Sequence, residues 1–207
     1  MSIGLEIYAV DYEKVRAAYG SNDRALYQAV MDASDFESED NSVTRDPEYR
    51  DQEWANESPL YKDILNEFLA GKINVEQALD SEYSYVRVLH EICAHYGELL
   101  DAKIFERLPN RMYFQMLNEF FQDHGVDSQF ESSGILLFET DPIGLQLGSE
   151  DTSHSFLSSR TVSTILQKIE PLNLMGVHND VATGIVVVHS WLTHAEKSKR
   201  GLMISCG

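Results

Sequence analysis

Apolar positions along the chain fall into stretches with a clear period, separated by stretches that have none. Ile3, Leu5 and Ile7 alternate with smaller or polar residues, the pattern of a strand near the N-terminus. Asp11 can cap a short helix whose Val15 and Ala18 face inward and which stops at Gly20. Ser21 can cap a second, carrying Leu26, Val30 and Met31. A third helix has the fullest set of end signals: Ser58 as cap, Pro59 at the first helical position and Gly71 beyond its end. Its Leu60, Ile64, Leu65, Phe68 and Leu69 form one stripe. Asn74 begins a short helix with Val75, Ala78 and Leu79. Two longer helices follow. The first runs from about Glu82 to Tyr96 with Tyr85, Val88, Leu89, Ile92, Cys93 and Tyr96 inward and Gly97 as its stop. The second runs from Asn110 to His124, bearing Met112, Tyr113, Met116, Leu117, Phe120 and Phe121, and ends at Gly125.

Beyond Gly125 the pattern shortens. Segments 134–138 and 143–147 are apolar and flank Thr140, Asp141 and Pro142, which predicts a strand pair around a turn. Ser158 or Ser159 caps a helix with Val162, Ile165, Leu166 and Ile169, closed by Pro171. Asn179 or Asp180 opens the last helix, striped by Val181, Ile185, Val188, Leu192 and Ala195. His194, Lys197, Lys199 and Arg200 lie at its C-terminal end, where positive charge complements the helix dipole. Gly201 breaks it, and Leu202 to Cys206 reads as a final strand. Many helices, few strands and no regular βαβ alternation predict an α+β fold with a small, mixed or mostly antiparallel sheet. The 207 residues, 43% of them hydrophobic, are enough for one sizeable core, so residues 1–207 are expected to form a single domain.

One segment obeys neither period. Residues 32–57 hold ten acidic side chains (Asp32, Asp35, Glu37, Glu39, Asp40, Asp46, Glu48, Asp51, Glu53, Glu57) against Arg45 and Arg50, and neither Leu nor Ile. Only Phe36, Val43, Tyr49 and Trp54 could anchor it, so a long, solvated acidic loop is expected, with one helical turn at most near 47–54. Trp54 is either such an anchor or an exposed contact residue. The whole chain carries a formal net charge of −18. That charge repels phosphate backbones and anionic membranes, so neither nucleic acid nor a membrane is an expected partner. It suits either a basic protein partner or plain solubility.

Three segments together are familiar: Gly4 to Val10 leading into an Asp-started helix, Phe156 to Ser159 leading into an amphipathic helix, and Trp191 to Glu196 running through Gly201 into the terminal strand. They resemble the YfbM-like group of small, uncharacterised bacterial proteins. The resemblance covers both ends of the chain and not the acidic loop. It implies an α+β domain whose N- and C-terminal strands share one sheet, and it carries over no catalytic residue.

The candidate chemistry is thin. His90-Glu-Ile-Cys-Ala-His95 approaches H-E-x-x-H, but its histidines are five apart. At about 100° per residue the two imidazoles point about 140° apart, which prevents chelation from one helix. His90 and His95 therefore read as flanking polar positions. His189 and His194 repeat the spacing, and a site shared between the two helices is the remaining arrangement. His124 reads as a helix C-terminal residue, and His154 and His178 as loop residues without partners. Cys93 and Cys206, far apart in apolar segments, read as small buried hydrophobes of a reducing compartment. No nucleophile elbow, phosphate loop, dinucleotide fingerprint or calcium loop is present. The aromatic set Tyr83, Tyr85, Tyr96, Tyr113, Phe114, Phe120 and Phe121 reads as core before ligand groove.

The opening segment lacks the features of a secretory signal, and the apolar runs are far shorter than a bilayer span, so the cytoplasm is the expected compartment. No cofactor is expected. Two functions follow. In the first, the chain is a non-enzymatic module, immunity-like in its concrete form, that binds a basic protein through Asp35, Glu37, Glu39, Asp40 and Trp54. In the second it is a small hydrolase whose site gathers sequence-distant groups such as His90, His95, Glu98 and Asp101.

Overall fold

The computed structural model describes residues 5–37, 60–74, 78, 82–100, 111–125, 142–144 and 154–206. In chain order its elements are strand β1 (Leu5–Val10), helices α1 (Tyr12–Ala18), α2 (Arg24–Ala33), α3 (Tyr61–Ala70) and α4 (Glu82–His95), and strand β2 (Gly97–Leu100). Helix α5 (Arg111–Asp123), strand β3 (His154–Leu157), helices α6 (Ser159–Ile169) and α7 (Asn179–Ser198) and strand β4 (Gly201–Cys206) complete them. The fold is α+β, as the sequence predicts.

The strands form one antiparallel sheet in the order β2-β1-β4-β3. The N- and C-terminal strands lie side by side at its centre, Leu5 opposite Cys206 and Val10 opposite Gly201. Both have helices on either side, which is why LEIYAV and GLMISC are apolar nearly throughout instead of alternating. The two-residue period of a strand divides them. Ile7, Ala9, Leu157, Leu202 and Ile204 face one core, filled by Leu117 and Phe121 of α5, Val162 and Ile169 of α6, and Val181, Ile185, Val188, Trp191, Leu192 and Ala195 of α7. Val10, Phe156 and Met203 face the other, filled from α1 to α4. The sheet thus separates two helical layers. The aromatic set divides with it, Tyr85 in the α1–α4 core and Phe121 in the other.

Local signals account for most helix ends. The Asp11 carboxylate accepts from Lys14 N–H, and Asp23 accepts from Ala25 and Leu26 N–H, so Asp23 and not Ser21 caps α2. Ser158 caps α6, and the His178 ring accepts from Asp180 N–H at the start of α7. Gly71 ends α3 in the left-handed region, with φ of 67°. A Cβ on Gly71 would come within 3.1 Å of Gly20 Cα. That close approach lets Gly20 and Asn22 N–H donate to Phe68 O and Leu69 O, satisfying carbonyls at the end of α3 (3.1 and 2.7 Å). At the start of β4, a Cβ on Gly201 would run into the Tyr12 ring and Leu157 O. Tyr12 meanwhile donates its buried hydroxyl to Leu202 O (2.6 Å).

Several expectations are corrected. Gly97 does not merely stop α4; it opens β2, a four-residue strand with no visible period. His154 is the first residue of β3 and not a loop residue. Pro142 to Gly144 form a turn and bend, so Ile143 does not begin a strand. Helix α2 continues through Asp32 to Ala33. Ser58, Pro59, segment 134–138 and the expected helical turn near 47–54 lie outside the described residues.

Candidate functional site

His90 and Ser205 are the buried polar residues of the described core. His90 is placed by α4, whose stripe of Val86, Leu89, Ile92 and Cys93 is pressed against the sheet. Position 90 lies four residues after Val86 and three before Cys93, so its ring is carried inward with them and is 3% exposed. A polar group buried this far is costly unless hydrogen-bonded. His90 finds its partners on two elements. Its Nε2 lies 3.2 Å from Glu6 Oε2 on β1, and its Nδ1 lies 3.5 Å from Glu91 Oε1 and 3.2 Å from Arg87 Nη1 on α4. Arg87 also binds Glu91 at 2.8 Å, and the Tyr8 ring stands edge-on to the imidazole, centroids 5.9 Å apart.

Electrostatics follow from this cage. Burial pushes the His90 pKa down, but hydrogen bonds to Glu6 and Glu91 and the charge of Glu91 outweigh burial and the opposing Arg87, leaving it above the usual histidine value. Tyr8 is pushed up by its own burial and by the charges of Glu6 and Glu91, with Arg87 in partial opposition, so its phenol stays protonated. The cluster is an acid–base network with both imidazole nitrogens occupied by protein groups. It can hold or release a proton; it presents no unoccupied imidazole nitrogen to a substrate.

A second cluster lies on the opposite side of the sheet. Glu98 of β2 stands opposite Ala9 in register, on the face toward α7. Its Oε2 lies 3.2 Å from His194 Nε2 and accepts from Arg200 Nη1 at 3.3 Å. These side chains are one-third to one-half exposed.

The residues expected to carry function fare differently. Asp35 and Glu37 are exposed on either side of Phe36, which is fully buried and stacked on Tyr61 with centroids 4.7 Å apart. Glu39, Asp40 and Trp54 lie outside the described residues. The quartet named for hydrolysis does not assemble: His90 is buried under α4, His95 is exposed beside Tyr96, Glu98 faces α7, and Asp101 lies outside the described residues. His90 and His194 are paired with carboxylates on opposite faces of the sheet, so the two helices build no shared histidine site. The reading of His90 as a flanking polar position is corrected, because α4 turns it into the core. His124 does sit at the end of α5, stacked on Phe120. Cys93 is fully buried and Trp191 nearly so. Among the described residues no three His, Cys, Asp or Glu side chains gather as a metal ion needs. Among them, too, no helix is long and apolar enough to cross a membrane.

Glu6, Tyr8, Arg87 and Glu91 are the functional candidates that sequence reasoning missed. Arg87 and Glu91 did leave a signal, opposite charges four apart on one helix. Glu6 left none, since only the packing of α4 on β1 brings it to His90.

Comparison with known proteins places the chain by family. It belongs to the family described as a domain of unknown function (DUF7691), whose model matches residues 1–207. Neither the comparison with curated proteins nor that with solved structures returned a match.

Proposed function

We propose that this chain is a non-enzymatic, cytoplasmic protein-binding module of the bacterial, YfbM-like kind, which engages a basic protein through its acidic segment. The observation that carries the reading is the way charge is segregated along the chain. Residues 32–57 hold ten of the 34 acidic side chains, whereas 154–206 hold only Glu170, Asp180 and Glu196 against Arg160, Lys168, Lys197, Lys199 and Arg200. A carboxylate surface kept only for solubility has no need of such crowding, and crowding is destabilising through self-repulsion. Phe36 pins the start of this segment to the core, and Asp35 and Glu37 beside it are exposed. In its concrete form the role is immunity-like: clustered carboxylates steer a basic protein to the surface and mask it.

The test is affinity purification of the tagged chain from its native cytoplasm at low salt, beside a variant carrying Asp35→Asn, Glu37→Gln, Glu39→Gln and Asp40→Asn. A basic protein retained by the wild type, released by salt and lost by the variant is the expected result. Equal retention by both chains rules out the acidic segment as the contact. Specific retention by neither leaves its acidity to solubility alone.

A further inference from the structure

The His90 cluster joins two elements far apart in sequence, and one of its atoms faces two incompatible partners. The Glu6 carboxylate lies 3.2 Å from Nε2 as a charge contact and not as an aligned hydrogen bond, and its negative charge favours a proton on that nitrogen. Nδ1 has a choice. The Arg87 guanidinium, 3.2 Å away, can only donate to it; the Glu91 carboxylate, 3.5 Å away, can only accept from it. A protonated Nδ1 turns to Glu91, and an unprotonated one takes the hydrogen bond from Arg87.

We propose that Glu6, His90, Glu91 and Arg87 form a proton-operated latch between strand β1 and helix α4. Closed, the imidazolium bridges Glu6 on the strand and Glu91 on the helix, and two carboxylates are balanced by two cations. On opening, the Nδ1 proton passes to water, Arg87 donates to the vacated lone pair, and the cluster keeps two carboxylates against one cation. The strand–helix tie then falls from a charged bridge to the weaker contact of a neutral imidazole with Glu6. The groups facing the ring are Glu6 and Tyr8 from β1 and Arg87 and Glu91 from α4. From β4 comes Ser205, opposite Glu6 in register, and β3 places His154 opposite Ser205, one strand further away. Because folding raises the His90 pKa, the latch contributes fully below the ordinary histidine value of about 6.5. Its contribution is lost as pH rises through the higher folded value.

Two measurements on the full chain test this. The first follows the histidine imidazoles by NMR from about pH 5.5 to 8.5, the range in which histidine charge changes. His90 is expected to titrate above the ordinary value in the wild type and at lower pH in Glu6→Gln, a change at a half-exposed position that leaves the core intact. The second compares urea unfolding midpoints of wild type, His90→Gln and His154→Gln across the same range. The excess stability of wild type over His90→Gln is expected to shrink as pH rises, and His154→Gln to retain the wild-type slope. A His90 titration at or below the ordinary value, or one unmoved by Glu6→Gln, overturns the latch. So does a wild-type advantage over His90→Gln that is the same at every pH.

Discussion

His90 and His194 each hold a glutamate at 3.2 Å, and the two pairs lie on opposite faces of one sheet. Each histidine also stands five residues from another on its helix, so the sequence presents them as equivalents. They are not equivalent physically. The His90 side chain is 3% exposed and that of His194 41%. Unit charges 4 Å apart attract by about 1 kcal/mol in bulk water and about 4 kcal/mol at the effective dielectric of a protein surface, and salt screens the exposed pair further. Identical distances therefore describe a partner choice inside the fold for His90 and, for His194, a contact whose Nε2 is shielded but whose ring is partly open to solvent. Burial, and not separation, sets what a histidine–carboxylate pair does.

The strongest way to break the comparison is to empty the cores behind each face. Leu89→Ala on the α4 side and Leu192→Ala on the α7 side each remove a fully buried leucine, and each is expected to cost about 2–5 kcal/mol. If residues 1–207 are one domain, both variants unfold in urea through one transition, the same by circular dichroism and by amide exchange. Separate transitions for the two layers would instead make each a folding unit of its own.

Gly201→Ala acts where the chain passes from α7 into β4 under the Tyr12 ring. The added methyl collides with that ring and with Leu157 O, so a loss of about 1–3 kcal/mol is expected from overpacking. Thermal unfolding reads it, and an unchanged melting temperature would show that Tyr12 moves aside freely.

Smallest is the effect that sharpens the histidine comparison itself. At about pH 6, His90→Gln is expected to lose about 1–3 kcal/mol, the range for disturbing a buried hydrogen-bonding group. His194→Gln or Glu98→Gln is expected to lose under about 1 kcal/mol, and that loss is expected to disappear in high salt. Equal losses at the two sites, measured side by side by urea unfolding, would refute burial as the property that separates them.

Much of the fold was legible because it is written locally. The helix ends at Asp11, Gly71 and Ser158 follow from the cap and backbone chemistry of single residues, and the stripes of α3 and α7 from a period of 3.6. Helix α7, by contrast, stops at Ser198 with Lys199 in the left-handed region and not at Gly201, which opens β4. The strands β2 and β3 were not legible. Four residues are too few to show a period, and GELL and HSFL become strands only because β1 and β4 offer them open edges. The candidate site divides in the same way. Phe36 was expected as an anchor of the acidic segment because it is one of the few apolar residues there, and it is buried. His90 was misplaced because α4 is buried over a wider arc than its apolar stripe shows, taking in Val86 and His90 beside Tyr85, Val88, Leu89, Ile92 and Cys93.

By itself, then, the sequence determined which segments are helical, that a strand stands near each end of the chain, and where the acidic charge is concentrated. Tertiary structure alone decided that Glu6 meets His90 while Glu98 meets His194. Propensity and capping act over a few residues, whereas burial and charge pairing depend on contacts between residues far apart in sequence, 190 positions in the case of Tyr12 and Leu202, which exist only once the sheet has formed between its two layers.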